Sequence, residues 1–354
     1  MTTQALGVDN LKVRWASFRE ANPTVRIRDA AEQLGVSEAE LVATECGESC
    51  VRLQAPWENI LHRLESLGPI MALTRNANAV SEKHGLYRNV SFHGNIGLVL
   101  DLGIDLRLFM DHWKLGFAVE AQGRRGPLKS FQFFDAHGTA LHKVYLTDGS
   151  DTAVYDRLCA EFADTDQTPN LAVQPSPPPA TDRSDADIDV PALEQGWNDM
   201  ADTHDFHRLL ARFKVGRVQA LRLVDDTLAH SVAPSSLNVV LEEAARQQLA
   251  IMVFIGNPGV IQIHSGPVSN IKRSGPWLNV LDDSFNLHLR EDHVHSAWVV
   301  RKPTEADRVS SLEVYDAQAE TIALLFAKRK EGQQTSEAWQ SLLSSLSPTE
   351  QSVS

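Results

Sequence analysis

The sequence predicts an α+β protein made by internal duplication, with two structurally similar halves whose large, stacked antiparallel β-sheets are flanked by helices. Three observations lead there. Residues 181 positions apart correspond without a gap from about 71 to 146, so that Met71, Asn76, Gly85 and Asn89 meet Met252, Asn257, Gly266 and Asn270. In the same register Val99-Leu100-Asp101 meets Val280-Leu281-Asp282, Asp111-His112 meets Asp292-His293, and Asp135-Ala136 meets Asp316-Ala317; chance does not hold one register so long. Within each copy the apolar runs are short, as at 251–255, 259–264 and 286–289, and are punctuated by Gly, Pro, Asp and Asn, the spacing of antiparallel meanders. Finally, 164–190 passes through Gln174-Pro175-Ser176-Pro177-Pro178-Pro179 into alternating Asp and Ser with little to bury, which reads as an exposed linker. The expected organisation is an N-terminal repeat over 1–163, the linker 164–190 and a C-terminal repeat over 191–354.

In chain order, helices are expected at 25–34 and 37–45. The second of these is opened by a capping box, in which the Ser37 side chain accepts from the Glu40 backbone and the Glu40 carboxylate reaches back. Strand-like runs then continue to 146. The second half opens with a helix expected over 192–212 and another over 236–248, followed by its own strands. The helical pair around Leu34-Gly35-Val36 has the outline of a helix-turn-helix. Its surroundings are acidic and simple packing explains it equally well, so a DNA-binding regulator is the least favoured reading.

Composition narrows the function. The 354 residues, 43% hydrophobic, suffice for two ordinary domains. A formal net charge of -13 works against a surface that neutralises phosphates, because nucleic-acid affinity comes largely from Lys and Arg releasing counterions. The first residues carry neither a basic segment nor an apolar run, and no stretch of about 18 apolar residues could cross a membrane. A cytoplasmic protein without a membrane span is expected. Cys46, Cys50 and Cys159 are the three cysteines, too few for a disulfide framework and consistent with a reducing compartment.

Common catalytic signatures are absent: there is no phosphate-binding glycine loop, no Gly-x-Ser-x-Gly elbow and no His-Glu-x-x-His. Cys46 and Cys50, four apart near Glu48, lack the further ligands a structural zinc needs and are read as buried thiols. His204 and His207 lie three apart on an expected helix and share a face, so either is able to ligate a metal or to be an ordinary surface residue. One imidazole suffices for heme iron, since the macrocycle supplies the equatorial donors. His293 and His295 have a strand spacing that suits zinc or copper, but the matching Asp111-His112 favours a turn-stabilising role for Asp292-His293.

The sequence resembles the HemS, HmuS, ChuS and PhuS family of intracellular heme-trafficking and heme-degrading proteins of bacterial heme uptake. The resemblance rests on Met71-Ala72-Leu73-Thr74-Arg75-Asn76, Glu82-Lys83-His84-Gly85-Leu86-Tyr87-Arg88-Asn89-Val90, Ile104-Asp105-Leu106-Arg107-Leu108-Phe109, Phe254-Ile255-Gly256-Asn257 and Ser311-Leu312-Glu313-Val314-Tyr315-Asp316. It runs from about Leu11 to Gly332. It implies heme b as the bound group, His204 as the proximal iron ligand, and Arg107 as a distal residue supplied by the first half. His207 becomes an alternate ligand. Arg217, Lys302 and Arg329 are implied as cations for the propionates, and Phe109, Phe254 and Phe326 as faces against the macrocycle. Leu324 and Phe326 stand where several members carry Gln and Tyr, so hydrogen bonding from those two positions is lost. The implied function is a carrier that receives heme downstream of a heme ABC transporter and passes it to a heme oxygenase. The alternative is an enzyme that opens the macrocycle with O2 and an electron donor.

Overall fold

In the computed structural model, which describes residues 5–123, 126–178, 181–304, 308–328 and 336–349, the 181-residue offset reappears as repeated elements. The chain divides into two units. One holds Met1–Arg75, Glu82–Pro177 and Asn257–Gln262; the other holds Asn76–Ser81, Pro178–Gly256 and Ile263–Ser354. Apart from two short segments, then, each unit is one copy.

The first copy begins with α1 (Ala5–Ala21), α2 (Ile27–Leu34) and α3 (Glu38–Ala43). Gly35 ends α2 at φ 68, a left-handed cap that glycine adopts without penalty. The Ser37–Glu40 capping box is present in both directions. Helix α3 buries Glu38, Ala39, Leu41, Val42 and Ala43, so it presents no face to a DNA groove, and the hairpin is a packing device. After it come β1 (Cys50–Leu53), α4 (Trp57–Arg63), β2 (Ile70–Arg75), β3 (Ala79–Gly85), β4 (Ser91–His93), β5 (Ile96–Leu100), β6 (Asp105–Phe109), β7 (Leu115–Gly123), β8 (Gly126–Phe134), β9 (Ala140–Leu146) and α5 (Thr152–Phe162). Strands β1-β7-β8-β9-β2 form an antiparallel sheet in that order, and β4-β5-β6 a smaller meander.

The second copy repeats this plan with α6 (Val190–Asn198), α7 (Asp205–Phe213), α8 (Arg217–Leu223), β10 (Ala229–Val232), α9 (Ser236–Arg246), β11 (Ile251–Asn257), β12 (Val260–Gly266), β13 (Ile271–Ser274), β14 (Trp277–Asp282), β15 (Phe285–Arg290), β16 (Ser296–Pro303), β17 (Arg308–Tyr315), β18 (Thr321–Ala327) and α10 (Glu337–Ser344). Its sheet is β10-β16-β17-β18-β11, and β13-β14-β15 is its meander.

Strand alternation gives each sheet two faces. In the second unit Val253, Val299, Leu312 and Leu325 join a core with Val240, Leu241, Trp339 and Leu342 of α9 and α10. The opposite face offers Val300 and Tyr315 to Trp197, Phe206, Leu209 and Leu221 of α6 to α8. Each fully buried residue of this size contributes about 1.5–3 kcal/mol. Among the described residues no helix is long and apolar enough to cross a membrane.

One expectation is corrected. The helix anticipated over 192–212 is two helices, broken between Asn198 and Asp205. The Asp202 carboxylate accepts from the His204 backbone and the Asp205 carboxylate from the Asp202 backbone; such local bonds satisfy the backbone outside a helix and compete with its continuation. The break lets α7 fold back on α6 at Gly196, where a Cβ would lie 2.6 Å from Leu209 Cδ1 and the leucine side chain would have to shift. His293 belongs to a 3-10 turn, Glu291–His293, as His112 does to Met110–His112. The Asp-His pair sits in turns in both copies, as expected.

Candidate functional site

Helix α7 is amphipathic. Phe206, Leu209 and Leu210, at i, i+3 and i+4, are buried against the sheet face, which leaves His207 and Arg208 exposed. His204 is the residue preceding the helix, and its side chain is 87% exposed. Its ring is nonetheless held, with Nδ1 lying 2.6 Å from Asp202 Oδ1. The His204 backbone N–H and ring keep the Asp202 carboxyl below its usual range, against some desolvation. A carboxylate on Nδ1 accepts the proton carried there, so that in the neutral ring the lone pair is on Nε2. His204 therefore presents an oriented, solvent-exposed ring.

Beneath α7 lies a buried charge cluster. Glu313, fully buried on β17, accepts from Lys302 Nζ at 2.6 Å, from Arg217 Nη2 at 2.8 Å and Nε at 3.0 Å, from Ser311 Oγ at 3.0 Å and from Tyr315 Oη at 2.5 Å. The Phe206 ring covers the cations, with Lys302 Nζ 4.4 Å and the Arg217 guanidinium 5.0 Å from its centroid. Burial alone would raise the Glu313 carboxyl, but Arg217 and Lys302 outweigh it and hold the group far below the carboxylate range. Burial, reinforced by Arg217 and opposed by Glu313, brings Lys302 down to about 8. One carboxylate against two cations leaves the cluster one positive charge in excess at neutral pH.

On the same sheet face, Leu324 stands opposite Glu313 and Phe254 opposite Leu324, while Phe326 stands opposite Ser311 and Met252 opposite Phe326. Met252, Phe254, Leu324 and Phe326 are only half-buried, and the two Phe rings meet edge to face at 5.0 Å. The second unit thus combines a half-covered apolar surface, a cationic cluster and an oriented imidazole.

The remaining sequence-predicted residues fall elsewhere. Arg107 and Phe109 lie two apart on β6 of the first unit and share a face; the Arg107 guanidinium is bonded to the Asp105 carboxylate and to the Leu106 carbonyl. Arg329 lies outside the described residues. Sequence reasoning missed Glu313 and Asp202. The available signal for the first was the alternation of Ser311, Glu313 and Tyr315 with the apolar Leu312 and Val314, a polar row on one face of the strand. Among the described residues no group of three or more His, Cys, Asp and Glu side chains is arranged to hold a metal, so a metal bound at His204 must bring most of its own donors.

The model of the haemin-degrading HemS/ChuX domain matches the chain twice, at residues 35–162 and 214–346. The chain belongs to the HemS/ChuX family. The chain of this family member is 37% identical over 339 residues to the hemin transport protein HmuS of Yersinia pestis, covering 95% of this chain and 97% of that one. The crystal structure of holo-PhuS, a heme-binding protein from Pseudomonas aeruginosa, superposes with a TM-score of 0.93 at 42% identity, covering 96% and 99% of the two chains. ChuS, described as an E. coli heme oxygenase, superposes with a TM-score of 0.87 at 37% identity, covering 96% and 100%.

Proposed function

We propose that this HemS/ChuX protein is a cytoplasmic heme carrier that binds heme b through His204 Nε2, receives it downstream of a heme ABC transporter and passes it to a heme oxygenase. The observation that carries the reading is the Asp202–His204 pair, which orients an exposed ring through Nδ1 and leaves Nε2 outside that bond. The neighbouring surfaces support it. Heme presents a flat apolar face and two carboxylates, which suit the half-buried Phe254 and Phe326 and the net cationic Arg217–Lys302–Glu313 cluster. Phe109, Arg329 and a distal Arg107 complete the proposed set on the strength of the family resemblance. His207, exposed one turn along, serves as the alternate ligand during transfer.

Two observations bear on carrier against enzyme. Leu324 and Phe326 offer no polar atom to a group on the iron, which favours carriage. The likeness to ChuS, whose described activity is that of a heme oxygenase, favours the second reading, in which O2 and an electron donor open the macrocycle on this protein. The test is to load the protein with one equivalent of hemin and add ascorbate in air, with catalase present to remove free peroxide. A carrier keeps its Soret band until an oxygenase is added; decay of the band with growth of biliverdin absorption in the protein alone establishes the enzyme.

A further inference from the structure

In the first unit, outside every residue assigned above, Cys46 and Cys50 bring their sulfurs to 3.7 Å. The backbone prepares the approach. Gly47, at φ 83, turns the chain; its N–H donates to the Cys50 carbonyl at 3.0 Å and the Cys50 N–H to the Glu45 carbonyl at 3.1 Å. Cys46 and Cys50 thereby pair as parallel bridge partners, at the spacing of neighbouring strands, about 4.7–4.9 Å, inside the roughly 4.4–6.8 Å between Cα atoms that a disulfide spans. The sulfurs must close by about 1.6 Å to bond, a side-chain rotation rather than a refolding.

The two thiols are not equivalent. Arg52 on β1 donates from Nη1 to Asp166 and from Nη2 to the carbonyls of Thr168 and Asn170, while its buried Nε has no hydrogen-bond partner among the described residues. The Cys50 thiol and this guanidinium draw Cys46 toward thiolate against the cost of burial. Cys50 is pushed up, by its bond to Cys46 and by burial. Such an asymmetric pair has an attacking thiolate and a resolving thiol.

We propose that Cys46 and Cys50 form a peroxide-oxidisable dithiol, Cys46 attacking and Cys50 resolving, that closes to an intrachain disulfide. The Cys46 thiolate attacks one oxygen of hydrogen peroxide; the O–O bond breaks and the departing hydroxide takes a proton to become water, leaving a sulfenic acid. The Cys50 thiol gives up its proton and its sulfur attacks the Cys46 sulfur; the S–O bond breaks and the hydroxyl leaves with that proton as a second water. Two electrons pass from the sulfurs to the peroxide, and two thiols plus one peroxide yield one disulfide and two waters. Peroxide is small enough for a thiol only 6% exposed. The disulfide forms beside Arg52, whose guanidinium anchors the start of the linker through Asp166, Thr168 and Asn170.

The test uses the full chain carrying Cys159→Ser, treated with hydrogen peroxide, with thiols counted after denaturation and the intact mass measured. Both remaining thiols should disappear together, with loss of the mass of two hydrogens and recovery on dithiothreitol. Cys50→Ser should stop at a sulfenic acid trapped by dimedone, and Cys46→Ser should keep its thiol at the same dose. The proposal is overturned if Cys46 proceeds to sulfinic acid while Cys50 stays reduced, if the disulfide links two chains, or if the folded protein reacts no faster than the chain in urea. If either serine variant fails to fold, the thiol count and mass of the Cys159→Ser chain decide.

Discussion

Replacing Glu313 by Gln tests the buried cluster on which the cationic surface depends. Gln keeps the size and two hydrogen-bonding atoms but removes the charge between Lys302, 4% exposed, and Arg217, 27% exposed. The cost at pH 7 has two parts. Lys302, already lowered to about 8, sheds its proton at pH 7 after little further destabilisation, which limits its share to roughly 1 kcal/mol. Arg217 stays charged and loses a charge-assisted bond to the carboxylate, about 1.5–3 kcal/mol. The sum, about 3–4 kcal/mol, lies at the low end of what breaking a buried ion pair costs. At pH 9 the wild-type Lys302 is largely neutral, so its share vanishes and the loss shrinks to about 2 kcal/mol. In the wild type a lowered lysine gives stability that rises with pH between about 8 and the unfolded value of 10.5, whereas the lowered Glu313 gives stability present at neutral pH and lost as pH falls below the unfolded value of 4.5. Urea unfolding of both proteins at pH 7 and pH 9, followed by tryptophan fluorescence and circular dichroism, measures the two losses. A loss below about 1 kcal/mol at pH 7, or one that grows toward pH 9, refutes this reasoning.

Three further predictions follow from other parts of the molecule. Asp202→Asn removes the acceptor that orients His204, so the affinity for hemin should fall roughly 10-fold, with a shift in the reduction potential of the bound iron; an unchanged potential shows that Asp202 does not act through the imidazole. Hemin affinity should weaken as pH rises through about 8, where Lys302 loses the cluster's excess charge, and the titration should be flat over that range in Lys302→Met. Ala319, in the turn where the first copy has Gly138, sits at φ 62, against 76 for that glycine; Ala319→Gly should therefore stabilise the protein by about 0.5–1 kcal/mol, the relief of left-handed strain less the entropy cost of glycine, as read by the urea midpoint.

The sequence disclosed what repeats or caps locally. The 181-residue register, the Ser37–Glu40 box and the Asp-His turns each leave a pattern in adjacent or regularly spaced residues, and each appears in the structure. The break over 199–204 had a local signal in Asn198, Asp199, Asp202, Thr203 and Asp205, residue types that favour caps over helix interiors; the bonds of Asp202 and Asp205 to nearby backbone groups show how it is held. Glu313 stood in a recognised stretch, but its role depends on Arg217, 96 residues earlier in the chain. The unit division was equally illegible. Asn76–Ser81 belongs to the second unit and Asn257–Gln262 to the first, and each of these two segments opens with an equivalent asparagine. In the second unit Asn76 Nδ2 donates to the Gly256 and Ile322 carbonyls; in the first, Asn257 Nδ2 donates to those of Arg75 and Leu141. Each Oδ1 accepts from the two backbone N–H groups of its own turn, Asn78 and Ala79 or Gly259 and Val260. The register aligned Asn76 with Asn257, but a match in sequence does not say which carbonyls a side chain will reach.

The central claim, heme ligation by His204, is tested most directly by titrating hemin into the wild type, His204→Ala and His207→Ala and recording the visible spectrum. The wild type and His207→Ala should give the same shifted, sharpened Soret band at one equivalent, and His204→Ala should lose that shift and bind more weakly. A His204→Ala spectrum identical to the wild type, with the change confined to His207→Ala, would contradict the assignment, and no shifted band in any of the three would contradict heme binding itself.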